Sequence, residues 1–215
     1  WCYRPHERLP AVAPPPCLNN GYVTFGSLNH AAKLSPQLIA LWVRLLNLLP
    51  EGRLVATRIR GESAREILQK DLARLGVAPD RVELHDVLAR PTIGEIFSRI
   101  DIALDPFPYG GTTTTCDLLW MGVPLVSLSG KTTPSRSGAS LLNTVGLGEL
   151  VARTAEEYLE IAARLARDPQ RLTGIRAGLR QRMRSSPLMD AARFTGNLES
   201  AYRDIWRRWC ASGAP

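Results

Sequence analysis

The residues best suited to chemistry lie in one run, Asp105-Pro106-Phe107-Pro108-Tyr109-Gly110-Gly111-Thr112-Thr113-Thr114-Thr115-Cys116-Asp117-Leu118-Leu119-Trp120-Met121-Gly122-Val123-Pro124. Ile102-Ala103-Leu104 before it reads as a buried strand, and Cys116–Met121 as a helix packed on a sheet, ended by Gly122-Val123-Pro124. A strand, a paired-glycine turn and a hydroxyl-rich helix start make an anion site. Glycine lets a phosphate approach the backbone, and the first helical turn offers unpaired N–H groups at a positive dipole end. Gly111, Thr112, Thr113 and Thr114 would hold the anion. Asp117, about one turn into the helix, suits the hydroxyls of a sugar. This is the pattern of a nucleotide diphosphate seat. The competing readings are a β-branched helix start with nothing bound and an Asp117 that only favours the helix dipole.

The elements that must position these residues alternate regularly. Tyr22–Phe25 is strand-like, and Gly26–Leu34 connects it to a helix that Ser35-Pro36 caps and starts, running to about Leu49. Leu54–Ile59 is a second strand, Glu62–Leu75 a helix stopped by Gly76, Val82–Val87 a third strand and Pro91–Arg99 a short helix. Ile102–Leu104 and Leu125–Leu128 supply two more strands. Short strands separated by helices imply right-handed βαβ units, hence an α/β chain with a parallel sheet flanked by helices. Beyond Ser135 a helix to Val145, a short strand Glu149–Val151 and two helices joined near Asp168-Pro169 follow. After the break at Ser185-Ser186-Pro187, a helix from about Asp190 to Trp209 carries Phe194, Leu198, Tyr202, Ile205 and Trp209 on one stripe. Trp120, Trp206 and Trp209 read as core or packing residues.

The chain has 215 residues, 45% hydrophobic and 22% charged, with a formal charge of +7. That is enough for one large domain or two small ones. The basic residues are scattered, and the densest group, Arg176 to Arg184, reads as a solvated helix face without the interleaved aromatics of a nucleic-acid binder. Cys2, Cys17, Cys116 and Cys210 have no CxxC spacing, which argues against a zinc or redox site. With neither a signal peptide nor a run long enough to span a bilayer, the expected compartment is the cytoplasm. Five prolines between Pro5 and Pro16 exclude helix or strand interior there, so the segment reads as a linker leaving some earlier structure.

Four blocks in order resemble the C-terminal half of the catalytic region of the O-linked N-acetylglucosamine transferases, glycosyltransferase family 41, in a bacterial version. They are Phe25–Pro36 (FGSLNHAAKLSP), Asp101–Pro124, Ser135–Leu142 (SRSGASLL), and Ser185–Leu188 with the Tyr/Trp helix that follows. The resemblance implies a GT-B architecture: two Rossmann-like domains across a cleft, the C-terminal one holding UDP-sugar. Residues 1–20 would then be the linker from an N-terminal catalytic half, 21–190 the Rossmann-like UDP-sugar domain, and 191–215 a helix packing back on that half. Carried over by position, Lys33 matches the lysine that neutralises the departing pyrophosphate, and Thr113 and Thr114 match the phosphate-holding threonines. Asp117 matches the ribose-binding acid, His30 replaces an amide near the diphosphate, and Arg90 falls at a basic position near the uracil. Ile93 stands where animal members have a histidine stacked on the base.

The implied reaction moves N-acetylglucosamine from UDP-GlcNAc to protein Ser or Thr hydroxyls with inversion. Its partners are a nucleotide sugar, an acceptor protein, and upstream tetratricopeptide repeats and catalytic half, with neither nucleic acid nor membrane. No DxD pair occurs to bind a divalent metal, so no cofactor is expected. A metal-free transferase stabilises the leaving diphosphate with a cation, N–H donors and a helix dipole, for which Lys33 and Thr112–Thr115 are the clear candidates. Two alternatives stay open: a transferase using UDP-glucose or another nucleotide sugar, and a non-catalytic nucleotide-binding or packing module.

Overall fold

In the computed structural model, residues 1–7, 9–86 and 90–213 are described, and of residues 90–93 the backbone alone. The chain begins with a short helix α1 (Cys17–Asn20) and continues through β1 (Thr24–Ser27), α2 (Pro36–Leu48), β2 (Arg53–Ala56), α3 (Glu62–Arg74), β3 (Val82–Leu84), α4 (Arg90–Ser98) and β4 (Ile102–Leu104). It continues with α5 (Thr113–Trp120), β5 (Leu125–Leu128), α6 (Ser137–Thr144), β6 (Val151–Ala152), α7 (Ala155–Ala166), α8 (Pro169–Arg184) and α9 (Ala191–Ala211). The strands form one parallel sheet ordered β3-β2-β1-β4-β5-β6. That is the order of a doubly wound Rossmann-like fold, as the sequence pattern implies.

Helices cover both faces of the sheet, so the central strands are apolar throughout rather than alternating. Every residue of β1 and β4 is buried. Phe25, Ile102 and Leu104 meet Trp42 and Leu45 of α2, Leu119 of α5, Leu141 of α6 and Tyr158 of α7 in one continuous core. Local chemistry sets the helix starts. Ser35 Oγ accepts the Leu38 N–H at 3.2 Å ahead of Pro36, Thr154 caps α7, and Asp168 accepts the Arg171 N–H at 2.9 Å ahead of Pro169. The last strand is shifted: Gly148–Leu150 is a 3-10 turn and β6 begins at Val151.

Residues 1–20 contain the helix α1 but do not run free of the domain. The Tyr3 N–H donates to the Leu188 carbonyl at 2.8 Å, and Arg180 and Arg176 donate to the carbonyls of Pro10 (2.7 Å) and Ala13 (3.3 Å). Asp101, wholly buried, accepts the N–H groups of Cys17 (3.0 Å) and Thr24 (2.8 Å) and anchors the strap to β1. A proline-rich strap lacks a ladder of its own, and here arginines satisfy its carbonyls.

The same contacts correct the reading of Arg176–Arg184 as a solvated face at Arg176 and Arg180, while Arg182 and Arg184 are exposed as that reading implies. Arg176 is 1% exposed and donates to the Ile100 carbonyl at 2.8 Å, while Arg180 and Arg184 lie over the Trp120 ring. Trp120 is buried, but Trp206 and Trp209 are not core: they stack on each other at 5.2 Å on the exposed helix α9. Among the described residues α9 has no buried side chain, and Phe194, Leu198, Tyr202 and Ile205 share its exposed apolar surface. No helix among the described residues is long and apolar enough to cross a membrane.

Candidate functional site

In an open parallel sheet a crevice forms where the strand order reverses, outside the carboxyl ends of the two strands that part there. Those strands are β1 and β4, paired Phe25 to Ile102 and Gly26 to Ala103. The chain leaving β1 leads to His30 and Lys33, and the chain leaving β4 leads to the Gly-Gly-Thr turn. Topology therefore brings together residues almost eighty positions apart.

Lys33 ends a single 3-10 turn, Ala31–Lys33. His30 starts that turn: it is exposed, and its Nδ1 accepts the Ala32 N–H at 3.2 Å. An accepting Nδ1 assigns the imidazole proton to Nε2. Lys33 Nζ donates to the Gly110 carbonyl at 2.8 Å and lies 4.4 Å from the centre of the Tyr109 ring. Burial lowers its pKa from the ordinary lysine value; the charge of Asp105 opposes that shift and the charge of Arg58 adds to it.

The glycine turn is held from below by Asp105, which the sequence reading left unassigned. Asp105 is 2% exposed; its Oδ1 accepts the Gly111 N–H at 2.8 Å and its Oδ2 accepts the Ser127 hydroxyl at 2.7 Å. Burial pushes its carboxyl up to about 6, against those two hydrogen bonds and the charge of Lys33. Space here requires glycine. A side chain at Gly111 would reach within 2.5 Å of Thr115 Oγ1, and one at Gly138 on α6 would collide with both Asp105 Oδ2 and Ser127 Oγ. The legible signal was an acid closing a buried strand just before paired glycines.

Thr112 occupies the N-cap position of α5 without a side-chain cap. The opening N–H groups of a helix lack intrahelical partners, and an anion is well matched to them. Thr113 is exposed, Thr114 half-buried, and the buried Thr115 Oγ1 has no hydrogen-bond partner among the described residues. Thr114 and Asp117 line a small cleft with Leu28, Thr57 and Arg58. Asp117 Oδ1 accepts the Tyr3 hydroxyl at 2.7 Å, and burial with that bond keeps the phenol protonated. The structure thus brings His30, Lys33, Gly111, Thr112, Thr113, Thr114 and Asp117 to one crevice. The side chain of Arg90 lies outside the described residues, as does that of Ile93. Among the described residues no three His, Cys, Asp or Glu side chains cluster as metal ligands would.

A model of glycosyl transferase family 41 matches residues 16–198. The chain belongs to that family. Among its relatives, "Probable UDP-N-acetylglucosamine--peptide N-acetylglucosaminyltransferase SPINDLY" of Petunia hybrida is 45% identical over 100% of this chain and 23% of its own length. The "UDP-N-acetylglucosamine--peptide N-acetylglucosaminyltransferase" of Caenorhabditis elegans is 31% identical over 90% of this chain and 17% of its own. A mutant of the Thermobaculum terrenum O-GlcNAc transferase superposes with a TM-score of 0.90 at 38% identity, covering 98% of this chain and 40% of that one. The chain therefore spans about a quarter of its plant relatives. Sucrose-phosphate synthase of Thermosynechococcus elongatus, at 16% identity and a TM-score of 0.60 over 93% of this chain and 52% of that one, shares the fold alone.

Proposed function

We propose that this family 41 chain is the donor-binding half of an inverting transferase that moves N-acetylglucosamine from UDP-GlcNAc to Ser or Thr hydroxyls of proteins. The observation that carries the proposal is the meeting of the Lys33 ammonium with the Gly-Gly-Thr start of α5 at the switch point of the sheet. The names of the plant, nematode and bacterial relatives support the donor and the acceptor class.

In this reading the N–H groups opening α5 and the hydroxyls of Thr113 and Thr114 bind the diphosphate, and Asp117 binds the ribose. As the bond from the sugar carbon to the diphosphate oxygen breaks, the electron pair departs with UDP. Lys33 stabilises that charge, and partial burial strengthens the interaction over its value in water. Neutralisation by lysine and backbone dipoles makes a divalent metal unnecessary. The acceptor hydroxyl attacks from the opposite face, and the group that takes its proton belongs to the remainder of a longer protein. That remainder would include an N-terminal catalytic half, onto which α9 packs, and tetratricopeptide repeats. The compartment in this reading is the cytoplasm.

A second donor is favoured by one feature of the sequence: Ile93 stands where animal members have the histidine that stacks on the base, and an isoleucine cannot stack as an imidazole does. The test is a donor panel with the full-length protein, comparing UDP-GlcNAc with UDP-glucose and with nucleotide sugars carrying other bases, in the presence of a chelator. Transfer from UDP-GlcNAc to protein hydroxyls supports the reading. Preference for another sugar or base replaces the donor while keeping the enzyme class. No donor turnover and no nucleotide binding would leave the packing module.

A further inference from the structure

Arg58 lies just beyond the carboxyl end of β2, where Thr57 donates to the Ser27 carbonyl at 3.0 Å and Arg58 itself to the Asp86 carbonyl at 3.3 Å. Its φ is +62°, a left-handed backbone and the single positive φ outside glycine among the described residues. Arginine gains nothing locally from that conformation, which costs free energy and persists where the surroundings demand it. Arg58 lines the same cleft as Thr114 and Asp117.

Among the described residues Arg58 forms no ion pair. The carboxylate nearest along the chain, Asp86, is engaged by Arg65 at 3.2 Å and by the Gly61 N–H at 3.4 Å, and Asp117 Oδ1 takes the Tyr3 hydroxyl. A like charge lies close by, since Arg58 helps to lower the pKa of Lys33. Two cations held together at the rim of one crevice, one on a strained backbone, are relieved by an anion between them.

We propose that Arg58 is a second cation of the donor site, gripping the diphosphate of the nucleotide from the β2 side while Lys33 grips it from the β1 side. The inference rests on the donor-site reading above. Arg58 shares its cleft with Asp117, on the ribose side, so it meets the phosphate next to the ribose, whose charge is present on binding and changes little as the distal sugar–oxygen bond breaks. Such a contact lowers KM and leaves kcat alone.

The experiment is calorimetric titration of the full-length protein with UDP and with uridine, for wild type, Arg58→Gln and Arg58→Gly, together with steady-state kinetics. Both variants should lose about tenfold to a hundredfold in UDP affinity, the range of one charge-assisted contact. Uridine, which lacks phosphate, should bind all three alike, and KM should rise with kcat within about threefold. Glycine adopts a positive φ freely, so Arg58→Gly should melt no lower than wild type, separating lost contact from lost fold. UDP affinity within twofold of wild type in both variants would overturn the inference and spare the donor-site reading. Equal losses for uridine and UDP would also overturn it. If wild type bound no UDP, the donor-site reading would fall and this inference with it.

Discussion

Asp105 and Lys33 hold the same glycine pair from opposite sides. Asp105 Oδ1 accepts the Gly111 N–H at 2.8 Å from within the core, and Lys33 Nζ donates to the Gly110 carbonyl at 2.8 Å from the crevice. One acid and one base thus fix both ends of the single peptide group joining Gly110 to Gly111, and the turn is set before any ligand arrives. Preorganisation of this kind removes reorganisation cost when charge develops. A lysine ammonium has three N–H donors, so the bond to Gly110 leaves capacity for a phosphate.

Lys33→Met in the full-length enzyme should lower kcat by about a hundred- to a thousandfold, the usual effect of removing one transition-state donor, worth about 3–4 kcal/mol. Donor affinity should change much less, because charge on the departing diphosphate is greatest in the transition state. Steady-state kinetics beside direct UDP titration separates the two. Near-normal turnover would remove Lys33 from the leaving-group role.

Asp117→Asn should behave in the opposite way, weakening donor binding about tenfold with little loss of kcat, since ribose hydroxyls gain no charge during transfer. Tyr3→Phe, which takes away the 2.7 Å bond to Asp117, should show a smaller loss of the same kind. A fall in kcat with unchanged KM would contradict the assignment.

Asp105 makes a prediction about pH. Its carboxyl titrates at about 6 in the fold and at about 3.9 in an unfolded chain, so the folded state holds the proton more tightly. Its contribution to stability is therefore fullest below pH ~4 and declines as pH rises through about 6. At neutral pH the difference amounts to roughly 3 kcal/mol. Asparagine preserves both contacts, its carbonyl accepting from Gly111 and its amide donating to Ser127 Oγ. Urea midpoints for wild type and Asp105→Asn from pH 4 to 7 should diverge in favour of the variant. Parallel curves would mean that Asp105 titrates as an exposed acid does.

What was legible in the sequence was local. Apolar runs and caps mark the βαβ order, and paired glycines ahead of four threonines mark the anion turn, because neighbouring residues alone decide those features. Asp105, Ser127 and Gly138 form the support of that turn only once β4, β5 and α6 are adjacent, and no spacing along the chain reveals it. Arg176 shows the converse: charges at helical spacing suggest a solvated face, yet one of them lies under the strap of residues 3–17. Arg58 was silent because a left-handed backbone at arginine has no sequence signature.

Gly138→Ala should destabilise the domain by about 1–3 kcal/mol through overpacking against Asp105 and Ser127, and should weaken UDP binding by disturbing the turn. Gly174→Ala is the internal control. That site, inside α8, has nothing within 4 Å of an added Cβ, so the variant should gain up to about 1 kcal/mol from helix propensity. Denaturant melts of both variants test the contrast, and equal effects would contradict it.

Arg176→Met should cost about 3–5 kcal/mol, because it strips the buried Asp101 of a nearby cation and leaves the Ile100 carbonyl without its donor. The measurement is a urea melt near neutral pH. A loss under 1 kcal/mol would mean that Asp101 is satisfied by the Cys17 and Thr24 N–H groups alone.

The buried carboxylate under the glycine turn also has a kinetic consequence for the backbone. The Gly111 N–H is sealed inside by an acid that three separate elements enclose, so it cannot meet solvent by local fraying. Its exchange with deuterium should require opening of the sheet as a whole, even though the carbonyl of the same peptide group faces the crevice. The seat for the ligand would thus be among the last parts of the domain to come apart, and intact seats would report intact domains.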